Sequence, residues 1–79
     1  MDNMYGFIGA GNMAKAIING IISQNICESK KINAFDIDEK KCSEISSKTG
    51  INSLESAKQI VLNSKYIFLA ENLKIILIY

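Results

Sequence analysis

The chain contains no histidine, arginine, proline or tryptophan, and each absence narrows the chemistry open to it. Without histidine it lacks the commonest metal ligand and general base near neutral pH. Without arginine it has no bidentate fork for phosphate or carboxylate, and all nine basic residues are lysines. The net charge of +1 gives no electrostatic case for nucleic acid or an anionic membrane surface. Cys27 and Cys42 form no CxxC pair and have no partners for a zinc set, so they read as a reduced, cytosolic pair and no metal site is expected. No apolar run approaches the roughly 20 residues that span a bilayer. No basic segment precedes an uninterrupted apolar stretch at the N-terminus, so no signal peptide is expected. These features together read as a cytoplasmic protein.

What remains is an ordinary globular composition on a small scale. The 79 residues are 48% apolar and 22% charged. A chain of this size buries only about 60% of the surface its unfolded form exposes, which makes a core possible but marginal. No repeat, linker or low-complexity segment interrupts it.

Hydrophobic periodicity orders the chain. Met4 to Ile8 reads as a short buried strand ended by Gly9. From Asn12 the period becomes helical, with Met13, Ile17 and Ile21 on one stripe and Ala14, Ile18 and Ile22 beside them. Asn12 is suited to cap that helix, which should fade near Gln24 and Asn25. Lys31 to Phe35 reads as the second strand, reaching Asp36. Asp38 can cap a weaker helix through Thr49, with Gly50 in the usual stopping position. Ile51 and Asn52 form a very short strand candidate, Ser53 caps a third helix carrying Leu54, Ala57, Ile60 and Val61, and residues 65 to 70 read as a last strand. Strands alternating with helices predict an α/β fold, a partial Rossmann-type arrangement of three to four parallel strands with flanking helices.

The chemistry sits in the turn "GFIGAGNMA". Gly9, Gly11 and Ala14 give the spacing G-x-G-x-x-A between the first strand and the first helix. The first glycine permits a tight turn, the second lets a pyrophosphate approach the backbone, and the small third residue lets the helix lie close to the strand. The helix N-terminus then offers unpaired N–H groups and partial positive charge to phosphate, so no side-chain cation is required. Asp36 follows about twenty residues further on, at a strand end, where an acid hydrogen-bonds the adenosine ribose. The alternative is a structural turn with Asp36 as a local cap, and Asp38 competes for the ribose role. If Asp36 faces the ribose, its charge opposes a 2′-phosphate and favours NADH over NADPH, although Lys40 or Lys41 could counter it.

Residues 4 to 70 carry a family likeness. "GFIGAGNMAKAIINGI" and "GINSLESAKQIVLNSKYIFLA" closely resemble the opening of the pyrroline-5-carboxylate reductases. β-Hydroxyacid dehydrogenases share Gly-Asn-Met after a glycine, but usually place Gly where this chain has Ala14. The resemblance implies an N-terminal dinucleotide-binding domain using NADPH or NADH. It also implies hydride transfer to a cyclic imine, giving L-proline. In that family Gly9, Ala10, Gly11, Asn12 and Met13 line the phosphate turn. The substrate pocket and the oligomer interface depend on a second, helical domain absent from these residues, and the sequence assigns no catalytic residue.

The likeness breaks after "FLA", where the family continues with Val-Lys-Pro and this chain has Glu71, Asn72 and Leu73. Loss of one T from GTA AAA CCT would give Glu, Asn and then Leu. Residues 71 to 79 are therefore read as a divergent or out-of-frame tail, and residues 1 to 70 as an incomplete domain. On that reading the fragment is marginally stable and inactive, with an unpaired edge beside its fourth strand. A standalone nucleotide-binding or interaction module, its tail completing another sheet, is the competing reading.

Overall fold

Residues 3–70 and 74–77 are described by the structure, a computed structural model. The elements run β1 (Tyr5–Ile8), α1 (Asn12–Ser23), a 3₁₀ turn (Ser29–Lys31), β2 (Ile32–Phe35), α2 (Glu39–Thr49), β3 (Asn52–Ser53), α3 (Ala57–Asn63), β4 (Tyr66–Leu69) and β5 (Lys74–Leu77). They build one sheet of order β3-β2-β1-β4-β5. The first four strands are parallel, as the alternation of elements predicts, and β5 returns antiparallel to β4. The expected open edge at the fourth strand is thus corrected. Lys74 to Leu77 hydrogen-bond along it, in register from Leu69↔Lys74 to Tyr66↔Leu77.

Period-two alternation sends β-strand residues to opposite faces of the sheet. On one face Phe7, Ile32 and Ala34 join Ala14, Ile18 and Ile21 of α1 and Cys42 and Ile45 of α2 in one buried cluster. Burying an isoleucine such as Ile18 contributes about 1.5–3 kcal/mol. Phe7 stacks on Phe68 with centroids 4.6 Å apart, and Tyr5 on Tyr66 at 5.3 Å. Both pairs are register partners of β1 and β4, so a slip between these strands would break two stacks at once.

The opposite face is covered by α3, and one glycine makes the fit. A Cβ on Gly6 would lie 2.6 Å from Ile60 Cγ2 and against the Ser64 side chain. With no side chain there, buried Ser64 reaches under β1, and its Oγ accepts from Asn33 Nδ2 at 3.2 Å. Asn33, also buried, donates to the Asn63 carbonyl at 3.1 Å and accepts from Asn52 Nδ2 at 2.9 Å. A polar side chain in mid-strand is thereby fully partnered and ties β2 to β3 and to the end of α3.

Two caps differ from expectation. Gly11, not Asn12, is the N-cap of α1, and among the described residues no side chain caps that helix. Ser53 belongs to β3, pairing with Ala34, and α3 starts later, with Ser56 Oγ accepting from Gln59 N–H at 3.1 Å. Both α2 signals act as read. Asp38 accepts from Lys40 N–H, and Gly50 ends the helix in the left-handed region. Among the described residues no helix is long and apolar enough to cross a membrane.

Candidate functional site

The C-terminal ends of β1, β2 and β4 open onto one rim, where crevices form in parallel α/β sheets. Gly9 leaves β1 with φ of 110°, a conformation that side-chain-bearing residues rarely adopt. Its N–H donates to the Phe35 carbonyl at 2.7 Å, extending the β1–β2 ladder into the turn. Ala10 follows, fully buried, and Gly11 opens the helix. A Cβ built on Gly11 meets no atom of the described residues within 4 Å, so among them this glycine faces open space.

The first backbone bond of α1 runs from Lys15 N–H to the Gly11 carbonyl at 2.9 Å. The N–H groups of Asn12, Met13 and Ala14 precede it and have no intrahelical acceptor. No acidic residue lies in the first turn of α1. By contrast, α2 has the Asp38 cap and Glu39 in its first turn, and α3 has the Ser56 cap. The end of α1 keeps its partial positive charge available for an anion from outside the chain.

Two clefts meet at this end. One, of about 290 Å³, is lined by Gly9, Gly11, Asn12, Met13, Ala14, Asp36, Lys41 and Ala70. The other, of about 400 Å³, lies between the strand ends and α3, lined by Ile8, Gly9, Phe35, Asp36, Ile37, Ala57 and Leu69. Gly9 and Asp36 border both. The roomier depression beyond them, about 770 Å³, has an acidic wall containing Asp36, Glu39 and Glu55. It lacks the turn's N–H groups, so chemistry rather than size selects the first two clefts as the candidate site.

Five of the six residues singled out in the sequence, Gly9, Gly11, Asn12, Met13 and Asp36, line the smaller cleft, while the sixth, Ala10, is buried and lines neither cleft. The Asp36 carboxylate does not stand free. It accepts from Ala10 N–H and from Asp38 N–H, each at 2.8 Å. Of the two lysines weighed as phosphate partners, Lys41 lines the cleft, whereas Lys40 borders a separate groove with Glu39, Ser43 and Glu44.

Ile37 was missed by sequence reasoning. It is 91% exposed beside the larger cleft, between Asp36 and Asp38. Its signal is a bulky apolar residue in a turn between two acids, where burial cannot explain it. The cysteines stay outside both clefts. Buried Cys42 donates to the Ala34 carbonyl at 3.2 Å. Burial, with Glu28 nearby, pushes the Cys27 thiol up from its ordinary value, which disfavours a reactive thiolate.

A glycine turn that offers backbone N–H groups, with Lys41 on the same cleft and Asp36 bordering an adjacent crevice, fits a dinucleotide. Comparison with known proteins agrees. Residues 4–76 match the family described as NADP oxidoreductase, coenzyme F420-dependent. Curated pyrroline-5-carboxylate reductases of Escherichia coli (strain K12) and Shigella flexneri are each 34% identical over 70 residues. Those matches cover 89% of this chain and 26% of each relative, so the chain spans about a quarter of their length. A solved pyrroline-5-carboxylate reductase from Coxiella burnetii superposes with a TM-score of 0.79 at 27% identity, covering 89% of this chain and 26% of that one.

Proposed function

The chain belongs to the family described as NADP oxidoreductase, coenzyme F420-dependent, and from that premise we propose that it is the cofactor-binding part of a pyrroline-5-carboxylate reductase. The observation that carries the proposal is the uncapped N-terminus of α1 behind Gly9 and Gly11. Phosphate oxygens would accept from the N–H groups at that end, with Lys41 beside them. Ile37, exposed beside the larger cleft, would offer an apolar face to the purine ring, and Asp36 would accept from the ribose hydroxyls.

When bound, the reduced nicotinamide supplies a hydride, which in the relatives' reaction would convert a cyclic imine to L-proline. The described residues contribute binding and orientation of the cofactor. On this reading the substrate pocket would lie in the three quarters of the relatives' length that this chain does not span. We therefore expect the 79 residues alone to be inactive; the out-of-frame origin of residues 71 to 79 bears on positions 71–73 and 78–79 that lie outside the described residues, while Lys74–Leu77 pair within the sheet. Cytoplasmic residence is part of the same reading, supported by two free cysteines.

Between the two cofactors the reading leans to NADH. A 2′-phosphate near Asp36 would meet that carboxylate and the acidic wall of Glu39 and Glu55. Calorimetric titration of the chain with NADH and NADPH tests the proposal. Binding of either dinucleotide, weakened by Gly11→Val, supports it; a folded chain that binds neither overturns it. Turnover of pyrroline-5-carboxylate by the purified chain would overturn the inactive-fragment part alone.

A further inference from the structure

Gly9 and Gly11 give the turn wide conformational freedom, so something outside it must fix its shape. The end of β2 does this at two consecutive amides. Gly9 N–H is held by the Phe35 carbonyl at 2.7 Å, and Ala10 N–H by Asp36 Oδ2 at 2.8 Å. The second Asp36 oxygen, Oδ1, accepts from Asp38 N–H at 2.8 Å, which fixes the carboxylate's own orientation. Amide-to-carboxylate bonds are charge-assisted and roughly twice as strong as neutral ones. The carboxylate therefore braces the turn in the chain with no ligand bound.

We infer that Asp36 is a positioning residue whose carboxylate holds the Gly9–Gly11 turn in the shape that presents the α1 N–H groups to phosphate. This role is separate from the charge it sets against a 2′-phosphate. The two roles predict opposite signs for NADPH. Removing the charge alone strengthens NADPH binding, whereas loosening the turn weakens binding of both dinucleotides. The affinity half of the inference rests on the dinucleotide reading; the geometric half does not.

The test uses Asp36→Asn, which keeps one acceptor oxygen, and Asp36→Ala, which keeps none. In the ligand-free chain, deuterium exchange at the Ala10 amide should quicken by roughly tenfold in the Asn variant, and more in the Ala variant. Affinity for NADH should fall by about fivefold for Asn and further for Ala, while NADPH, which loses the brace but is relieved of the opposing charge, should fall less. Asp38→Ala removes the α2 cap without touching the Ala10 bond, and should leave Ala10 exchange as it is.

Unchanged Ala10 exchange in Asp36→Asn overturns the inference, as does NADH affinity that does not fall. Equal quickening in Asp38→Ala also overturns it, because the effect would then be general loosening. If Asp36→Ala does not fold, the Asn variant and the Asp38 control still decide. If the unaltered chain binds neither dinucleotide, the proposed function fails, while Ala10 exchange still decides whether Asp36 braces the turn.

Discussion

The two strand-to-helix junctions that meet at Asp36 are built on opposite plans. Between β2 and α2, Asp38 caps the helix, Glu39 occupies its first turn, and Lys48 lies in its last. That helix satisfies its own ends. Between β1 and α1 there is a left-handed glycine, a buried alanine and an open glycine, with no side chain on the helix N-terminus. Both junctions follow a parallel strand, and both point to the same rim. A helix capped by its own side chains is finished, whereas one left uncapped beside open space is arranged for a ligand. That contrast locates the site more sharply than the glycine spacing alone.

The largest effect should come from breaking the base shared by both junctions. Gly6→Ala places a methyl 2.6 Å from Ile60 Cγ2 and against Ser64, whose hydroxyl partners buried Asn33. Urea denaturation should show a loss of about 2–3 kcal/mol, combining overpacking with a disturbed buried hydrogen bond. A loss below about 0.5 kcal/mol would mean that α3 can shift away from β1 at little cost, and that the packing there is loose.

Next comes a change felt mainly on the ligand side. Gly11→Val adds atoms where no described residue comes within 4 Å, at a φ of −84° that valine accepts. Folding stability should fall by only about 1 kcal/mol, because valine replaces glycine as the N-cap. Dinucleotide affinity should fall by about tenfold or more, because the pyrophosphate needs that approach. Unchanged affinity would show that no phosphate comes near Gly11.

The opposite junction supplies the mirror image. Asp38→Ala removes the bond from Lys40 N–H at 3.0 Å and should cost about 1 kcal/mol of stability. Dinucleotide affinity should stay within about twofold, measured by the same titration. A large affinity loss would mean that Asp38, rather than Asp36, reaches the ribose.

How much of this was legible in the sequence depended on how local the cause was. The order of parallel strands, the Asp38 cap and the Gly50 stop rest on neighbouring residues and stand as the pattern put them, while β3 lies one residue later than read. The glycine turn and Asp36 were legible as types at a spacing. The bond from Ala10 to Asp36 was not, because it joins residues brought together only by β1–β2 pairing. Gly6 was hidden for the same reason. Its meaning lies in Ser64 and Ile60, far along the chain. The return of Lys74 to Leu77 along β4 was missed because those residues were read as an unsupported tail. An apolar, β-prone run beside an open strand edge is also a strand that can fill it.

Asn12 gives the smallest effect and the finest test of the contrast between junctions. By residue type it is among the best caps, and as a cap its loss would cost about 1 kcal/mol. In the structure it is the first residue inside α1, one position past the cap, and among the described residues no side chain caps the helix end. Alanine is the better helix former at such a position. Asn12→Ala should therefore leave the urea midpoint unchanged or raise it slightly, within about 0.5 kcal/mol. A full cap-sized loss would place the Asn12 side chain over the free N–H groups of α1. That would make the first junction self-satisfied like the second, and a phosphate would then have to displace Asn12 to bind.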